Sequence, residues 1–304
     1  MGIQNFLIVP DLNKKEFDHV LSRATFWKQN PHSDLLVGKT VALIFGKPST
    51  RTRVSFSVGI QQLGGYPLTL SEQELQMRKS ESIEDTARVL SRYVDAIVIR
   101  TFDRKDVEDL AEFSSVPVIN ALTDDDHPCQ ALTDIFTFQE VFPDATGRKI
   151  TYLGDGNNVA ASLAEAATMA GINICLSIPE GYDLTSEKMA TITRLAGKYG
   201  TEFSIERNPQ KAVLGASALY TDVWFSMGQS EANDKAEALK PYQLNAQLLA
   251  LALPEAIVLH CLPAHRGLEI TDGVMDGDQS MVFEQAENRL HVQKSLLAYL
   301  LAGK

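Results

Sequence analysis

Short apolar runs alternate along this chain with longer amphipathic stretches, and that rhythm constrains its fold more than any other feature. The runs are rich in Val, Ile and Leu and lie at 41–45, 96–99, 116–119, 150–153, 172–178, 218–221 and 257–260. Strands that alternate with helices pair in parallel, and a parallel sheet needs helices on both of its faces. The sequence therefore predicts an α/β protein with doubly wound, parallel sheets.

A turn-rich break divides this pattern into two halves. The helical pattern 128–141 runs into the segment 142–147, which contains proline and glycine, and a new strand then starts at Lys149. A chain of 304 residues is long enough for two domains that each bury a core. The last segment is long, amphipathic and rich in Leu, so we expect it to be a helix that packs on the first domain. The prediction is two doubly wound domains linked by helices, with residues 1–142 plus the C-terminal helix 283–304 in one and 143–282 in the other.

Composition excludes several classes of partner. The formal net charge of −11 argues against a nucleic-acid surface, and no apolar run approaches the roughly 20 residues that a membrane span requires. The three cysteines, Cys129, Cys175 and Cys261, form no CxxC pair and no metal-ligand spacing, which is typical of a reducing cytoplasm. We therefore expect a cytoplasmic protein that binds small molecules, and any positive potential for an anionic ligand must be local.

Residues 49–53, Ser-Thr-Arg-Thr-Arg, form the first candidate binding motif. They follow the apolar run 41–45 and open a helical segment, 54–63, that closes at two glycines. The hydroxyl of Ser49 can cap the helix, Arg51 can offer a planar bidentate fork, and a helix N-terminus favours negative charge. The motif predicts a site for a phosphate-like dianion, although a capped helix with solvated arginines is an equal alternative from these five residues alone.

Polar or reactive residues follow five of the predicted strands at the point where each strand ends. They are Arg100, the pair His127 and Gln130, the segment 154–158, Asp222, and Cys261. In open parallel sheets, ligands bind outside the carboxyl ends of the strands. This distribution predicts an active site there. Cys129 and Cys175 are interpreted as packing residues.

Two segments of the sequence partly match nucleotide-binding patterns. Residues 33–40 resemble a phosphate-binding P-loop, but they precede a strand, whereas a P-loop must follow one. Residues 154–159 follow a strand and begin like a dinucleotide fingerprint, but the third small position is Val159. A nicotinamide-dependent oxidoreductase therefore stays open only as an alternative.

Several segments, taken together and in order, resemble the carbamoyltransferase family. They are 49–53, 81–88, 127–130 (His-Pro-Cys-Gln), 154–158, 260–263 (His-Cys-Leu-Pro) and 286–289. Residues 222–229 resemble the ornithine branch of the family. The resemblance implies transfer of the carbamoyl group of carbamoyl phosphate to the side-chain amine of L-ornithine, which gives citrulline and phosphate by direct attack. It also implies a homotrimer, a cis bond between Leu262 and Pro263, and neither a metal nor an organic cofactor. A carbamoyltransferase for another amine, such as putrescine or an acylated ornithine, is the alternative.

The resemblance assigns roles to individual residues. The carbamoyl phosphate site would comprise Ser49, Thr50, Arg51, Thr52, Gln76, Arg100, His127, Gln130, Cys261, Leu262 and Arg289. The ornithine site would comprise Asn158, Asp222, Ser226 and Met227. The residues expected to act on the reacting groups are Arg51, Arg100, His127, Asp222 and Cys261. One departure from the family pattern is Arg78 and Ser80, which stand where glycines are usual.

Overall fold

The computed structural model describes residues 5–71, 81–225 and 233–303. The chain divides into two compact units, Met1–Thr133 with Glu287–Lys304 and Asp134–Ala286. Within the described ranges, no helix combines the length and the apolar character that crossing a bilayer requires. Two helices, Pro128–Val141 and Val282–Ala302, contain residues of both units.

The first unit is built on a four-stranded parallel sheet with the strand order β2-β1-β3-β4. Its strands are β1 (Thr40–Phe45), β2 (Tyr66–Ser71), β3 (Ala96–Arg100) and β4 (Val118–Leu122). The helices that begin in it are α1 (Lys14–Gln29), α2 (Thr50–Gln62), α3 (Ile83–Leu90), α4 (Arg104–Phe113) and α5 (Pro128–Val141). The central strands β1 and β3 are buried on both faces, as expected of strands in a parallel sheet that helices cover.

The second unit is built on a five-stranded parallel sheet with the strand order β7-β6-β5-β8-β9. Its strands are β5 (Lys149–Leu153), β6 (Asn173–Ser177), β7 (Phe203–Ile205), β8 (Ala218–Thr221) and β9 (Ile257–His260). Its helices are α6 (Asn158–Ala170), α7 (Ser186–Tyr199), α8 (Pro209–Ala212), α9 (Asn233–Leu239), α10 (Ala246–Leu249) and α11 (Asp272–Met275), followed by the first turn of α12 (Val282–Ala302).

Each sheet has a point at which the strand order reverses. In the first unit the chain moves from β1 outward to β2 and then to β3 on the other side of β1. In the second unit it moves from β5 to β6 and β7 and then to β8 on the other side of β5. Ligands of doubly wound sheets bind at such switch points, outside the carboxyl ends of the strands. The loops after β1 and β3, and those after β5 and β8, are therefore where ligand-binding side chains are expected.

The predicted fold class is confirmed, and all seven predicted runs are strands, with differences of a few residues at their ends. Two strands were missed, β2 and β7. Strand β2 contains Pro67 and is exposed or half-buried along its length, so its pattern lacks a continuous apolar run. Strand β7 is an edge strand of only three residues.

Candidate active site

The loop after β1 in the first unit places the Ser-Thr-Arg-Thr-Arg motif at the N-terminus of α2. Ser49 is the N-cap residue, and its hydroxyl oxygen accepts a hydrogen bond from the backbone N–H of Thr52 at 3.3 Å. Arg51 is half-buried and Thr52 fully buried, whereas Thr50 is exposed. The capped helix N-terminus that the sequence predicted is therefore present, and a helix N-terminus favours an anion.

A buried arginine joins three elements of the first unit. The guanidinium of Arg289, on α12, donates to the hydroxyl oxygen of Thr52 at 2.9 Å and to the amide oxygen of Gln130 at 3.0 Å. All three side chains are at most 3% exposed. Hydrogen bonds to a charged donor are stronger than neutral ones. Arg289 thus fixes the Ser-Thr-Arg-Thr-Arg motif on α2 relative to Gln130 on α5.

His127, immediately before α5, is buried beside the same cations. Burial is the main cause that holds the pKa of its imidazole well below the ordinary range, and the charges of Arg289, Arg100 and Arg51 lower it further. His127 is therefore a neutral imidazole near pH 7. Arg100, the last residue of β3, is also buried, and its backbone carbonyl accepts the N–H of Gly46 at the start of the phosphate loop. The structure thus brings Arg289, Arg100 and Arg51 close to His127, although the sequence singled out these four residues separately.

Lys47 was not among the predicted site residues, because a single lysine in a loop has no pattern around it. Its side chain is buried, its ammonium pairs with Asp124, and it lies 4.2 Å from the centroid of the Phe102 ring. This ion pair ties the loop after β1 to the loop after β4. Cys129 is fully buried, and burial raises the pKa of its thiol to about 12, so it is inert, as the packing interpretation requires.

In the second unit, Asp222 receives two hydrogen bonds from predicted or neighbouring residues. The thiol of Cys261 donates to Oδ1 of Asp222 at 2.9 Å, and Nδ2 of Asn157 donates to Oδ2 at 2.8 Å. Asn157 is also the N-cap of α6, where its amide oxygen accepts the N–H groups of Val159 and Ala160 at 3.0 Å each. The strand-end residues after β5, β8 and β9 therefore form one hydrogen-bonded group. Asn157 is a residue that sequence reasoning missed in favour of its neighbour.

Asn158, which the sequence assigned to ornithine, is the first residue of α6 and is half-buried. The predicted residues Gln76, Ser226 and Met227, and the unusual loop positions Arg78 and Ser80, lie outside the described residues.

His260 orients the backbone next to Cys261. Its Nδ1 accepts the N–H of Leu262 at 2.9 Å, and its Nε2 lies 3.1 Å from a carboxylate oxygen of Glu269. An imidazole nitrogen that accepts carries no proton, so the geometry requires the tautomer with the proton on Nε2, which donates to Glu269. Leu262 has a φ of 59°, and its bond to Pro263 is cis, as the family resemblance implied.

Two further buried residues support this strand end and were missed by sequence reasoning. Glu269 also accepts the backbone N–H of His265, so one carboxylate holds two points of the loop after β9. Gln285 accepts the backbone N–H of His260 at 2.9 Å and donates to Asp134 at 2.6 Å. Neither residue belongs to a short motif, so no signal in the sequence separates it from an ordinary polar side chain.

Asp222, His260 and Cys261 offer three potential metal-ligand atoms within 4.8 Å of one another. The thiol and the carboxylate are hydrogen-bonded to each other, and both ring nitrogens of His260 are engaged by Leu262 and Glu269. A cation would have to displace these bonds. The carboxylate of Asp222 is the group in this cluster that could pair with a protonated amine.

The glycine-rich turn after β5 has a local reason to contain glycine. A Cβ at Gly156 would lie 2.3 Å from the carbonyl oxygen of Tyr182 and 2.9 Å from the backbone nitrogen of Leu184. The glycine is thus required by contact with the loop after β6. This explains the GxG pattern without a dinucleotide.

Comparison with known proteins gives a consistent result over the full chain. Residues 4–140 match the carbamoyl-P binding domain of aspartate/ornithine carbamoyltransferase, and residues 146–300 match its Asp/Orn binding domain. The ornithine carbamoyltransferase of Thermococcus kodakarensis is 50% identical over 306 residues, which cover 99% of this chain and 97% of that one. The solved ornithine carbamoyltransferase of Pyrococcus furiosus is 47% identical, with a TM-score of 0.96 over 100% of this chain and 98% of that chain. A solved acetylornithine transcarbamylase complexed with acetylcitrulline is less similar, at 32% identity and a TM-score of 0.89 over 98% and 99% of the two chains.

Proposed function

Because this chain belongs to the aspartate/ornithine carbamoyltransferase family, we propose that it is an enzyme that transfers the carbamoyl group of carbamoyl phosphate to the side-chain amine of L-ornithine. The products are L-citrulline and phosphate. The similarity to ornithine carbamoyltransferases along the whole chain supports the choice of reaction.

The residues of the first unit are suited to bind carbamoyl phosphate, a dianion, and to polarise its carbonyl group. The helix N-terminus at Ser49, with Thr50 and Arg51, would hold and neutralise the leaving phosphate. Thr52, Arg100 and His127 would surround the carbamoyl oxygen, where a preorganised donor is worth roughly 3–4 kcal/mol of transition-state stabilisation. His127 would act as a neutral N–H donor, because burial and three guanidinium groups keep its pKa low.

The second unit supports binding of a cationic amino acid. The observation that carries this choice is the hydrogen-bonded group of Asn157, Asp222 and Cys261, in which a carboxylate and a thiol lie 2.9 Å apart. Asp222 would pair with the α-ammonium group of ornithine, and Asn158 would contact its α-carboxylate region.

The reaction needs no covalent enzyme intermediate. The side-chain amine of ornithine, with a pKa near ~10.4 by comparison with lysine, must lose its proton before it attacks. Asp222, through the α-ammonium group, and Cys261 would orient the substrate and help to desolvate its side-chain amine. Its lone pair then forms the C–N bond, the bond from the carbamoyl carbon to the bridging oxygen breaks, and phosphate departs with that electron pair. The attacking nitrogen gives up one of its two protons to the departing phosphate, which leaves citrulline neutral at that nitrogen.

We also propose that the enzyme assembles as a homotrimer and works in the cytoplasm. The trimer rests on the family resemblance, and the location on three buried cysteines that form no disulfide among the described residues. Light scattering coupled to size-exclusion chromatography tests the assembly, because a mass other than about three chains contradicts it.

The decisive assay follows citrulline formation from carbamoyl phosphate and ornithine, with putrescine, N-acetylornithine and aspartate in parallel. A strong preference for ornithine is expected. A preference for another amine would retain the carbamoyl phosphate site but overturn the assignment of the amino-acid site. Inactivity with every amine would refute the proposed function. A titration with NAD serves as the control for the alternative, and no binding is expected.

A further inference from the structure

Lys235, on α9, faces the turn that connects β5 to α6. Its ammonium donates to Oδ2 of Asp155 at 2.7 Å, and both side chains are 15% exposed. The ring centroids of Tyr182 and Phe225 each lie 5.9 Å from the ammonium. A partly desolvated ion pair beside two aromatic rings is held more firmly than a surface pair.

The backbone that presents Lys235 is itself anchored. Leu239 is fully buried and packs with Trp224 and Phe225, and Ala236 packs against the same small cluster. Trp224 and Phe225 follow Asp222 by two and three residues. Helix α9 is thus packed against the segment that leaves the end of β8, and Lys235 reaches Asp155 from a defined position.

The turn that carries Asp155 is pinned on its other side by backbone contacts. The N–H of Gly156 donates to the carbonyl oxygen of Tyr182 at 3.0 Å, and no room remains for a Cβ at this position. The N–H of Asn157 bonds the carbonyl of Asp155 at 2.8 Å. A shift of Asp155 would therefore be transmitted to Asn157, which is the residue that bonds Asp222.

The charge of Lys235 has a second consequence. Burial is the main cause that raises the pKa of the Tyr152 hydroxyl, and the charges of Asp222 and Asp155 raise it further. Both carboxylates therefore lie close to the same hydroxyl. An ammonium on Asp155 neutralises one of the two charges. Asp222 is then the carboxylate left to pair with a cationic substrate, and repulsion between the two is reduced.

We propose that Lys235 is a positioning residue for the amino-acid substrate: by pairing with Asp155 it holds the Asp155–Asn157 turn and thereby sets the geometry of the Asn157–Asp222 hydrogen bond. This inference rests on the proposed function, because Asn158 and Asp222 are the groups proposed to contact ornithine. Lys235 acts through Asp155 and is not itself assigned a contact with the substrate.

The test separates the two substrates. Lys235→Met should raise the KM for ornithine about tenfold, the equivalent of ~1.4 kcal/mol, and leave the KM for carbamoyl phosphate within twofold. Lys235→Arg should restore most of the loss, because it keeps the charge. Asp155→Asn should mimic Lys235→Met, and the double variant should be no worse than either single variant, since both remove one interaction. Lys240→Met is the matched control, because Lys240 is 73% exposed and lies 3.8 Å from an exposed glutamate.

A second readout does not depend on activity. Amide hydrogen exchange in the peptide that covers residues 154–162 should be faster in Lys235→Met than in the parent enzyme and unchanged in Lys240→Met. If the parent enzyme carbamoylates ornithine and Lys235→Met leaves both the KM for ornithine and this exchange unchanged, the inference is overturned while the proposed function stands. If the parent enzyme is inactive with ornithine, the proposed function fails, and the exchange measurement alone decides whether Lys235 holds the turn.

Discussion

Replacing Thr52 with valine tests the hydrogen bond between Thr52 and Arg289 in the first unit. The substitution preserves the shape of the side chain but removes the oxygen that accepts the hydrogen bond from Arg289 at 2.9 Å. Thr52 is fully buried, so water cannot replace the lost acceptor. A hydrogen bond to a charged group contributes about 1.5–3 kcal/mol to stability, and an unpaired partner at a buried site forfeits that amount.

We expect the effect on carbamoyl phosphate use to be of the same size. Arg289 also holds Gln130 at 3.0 Å and acts on the pKa of His127, so its displacement disturbs the groups proposed to bind the carbamoyl moiety. If the whole contribution is lost from the transition state, kcat/KM for carbamoyl phosphate falls by roughly 10- to 150-fold, at about 1.4 kcal/mol per tenfold change. The assay is citrulline formation at saturating ornithine with carbamoyl phosphate varied.

Two comparisons make the result interpretable. Thr168→Val removes a hydroxyl from an equally buried threonine, but this hydroxyl bonds only to carbonyls of its own helix, so kcat/KM should be unchanged. Combined with Arg289→Met, Thr52→Val should cause a smaller further loss than it does in the parent, because the Thr52–Arg289 bond is already absent and only the proposed contact of Thr52 with the carbamoyl oxygen is left to lose. Should Thr52→Val keep kcat/KM for carbamoyl phosphate within twofold of the parent, the role assigned to the Thr52–Arg289 bond is wrong.

Two further predictions concern the dependence of stability on pH. The pKa of His127 is well below the value of about 6.5 expected in the unfolded chain, so the unfolded state binds the extra proton first and stability decreases as the pH falls below ~6.5. His127→Gln should reduce the difference in urea midpoint between pH 7.5 and pH 5, and an unchanged difference would contradict the neutral imidazole. Burial lowers the pKa of Lys294 to about 8, although its ammonium donates hydrogen bonds to the carbonyls of Trp27 and Pro31 and to Gln62. Between about pH 8 and about pH 10.5, unfolding therefore takes up a proton. The free energy of unfolding should rise with pH across that interval. The melting temperature of the parent enzyme should therefore rise relative to that of Lys294→Met between pH 8 and pH 10, and parallel curves would exclude this contribution.

Most of the fold could be predicted from the sequence, because the central strands of parallel sheets carry a strong local signal. Strand β3 is buried along its whole length and reads as a continuous apolar run, whereas β2 contains Pro67 and is largely half-buried. Helix α5 was predicted with its observed ends, 128 and 141, since a proline marks its first residue and a turn-rich segment follows it. The two missed strands lack such a signal, since β2 is exposed or half-buried along its length and β7 has only three residues.

The residues of the candidate site also differ in how far the sequence could predict them. Residues at strand ends, such as Asp222 and Cys261, could be found because the strands themselves were found. The contact between His260 and Glu269 could not, since the path of the loop between them decides it and residues nine apart in a loop have no characteristic spacing. Whether Asn157 or Asn158 reaches Asp222 likewise depends on where α6 begins, a boundary that sequence patterns place only within a few residues.

The charges of the first unit separate two tasks that a single residue could not perform together. A phosphate dianion requires positive charge, and arginine supplies it at every physiological pH, because its guanidinium group stays protonated. The three arginines whose charges act on His127 also keep its imidazole neutral, so the imidazole can donate an N–H to a carbonyl without changing charge near pH 7. If histidine supplied the positive charge instead, phosphate binding would weaken as the pH rose, in the same direction in which the attacking amine becomes active. With the charge on arginine and the hydrogen bond on histidine, the rise of activity with pH should follow the deprotonation of ornithine, and a protonated His127 should not limit the reaction.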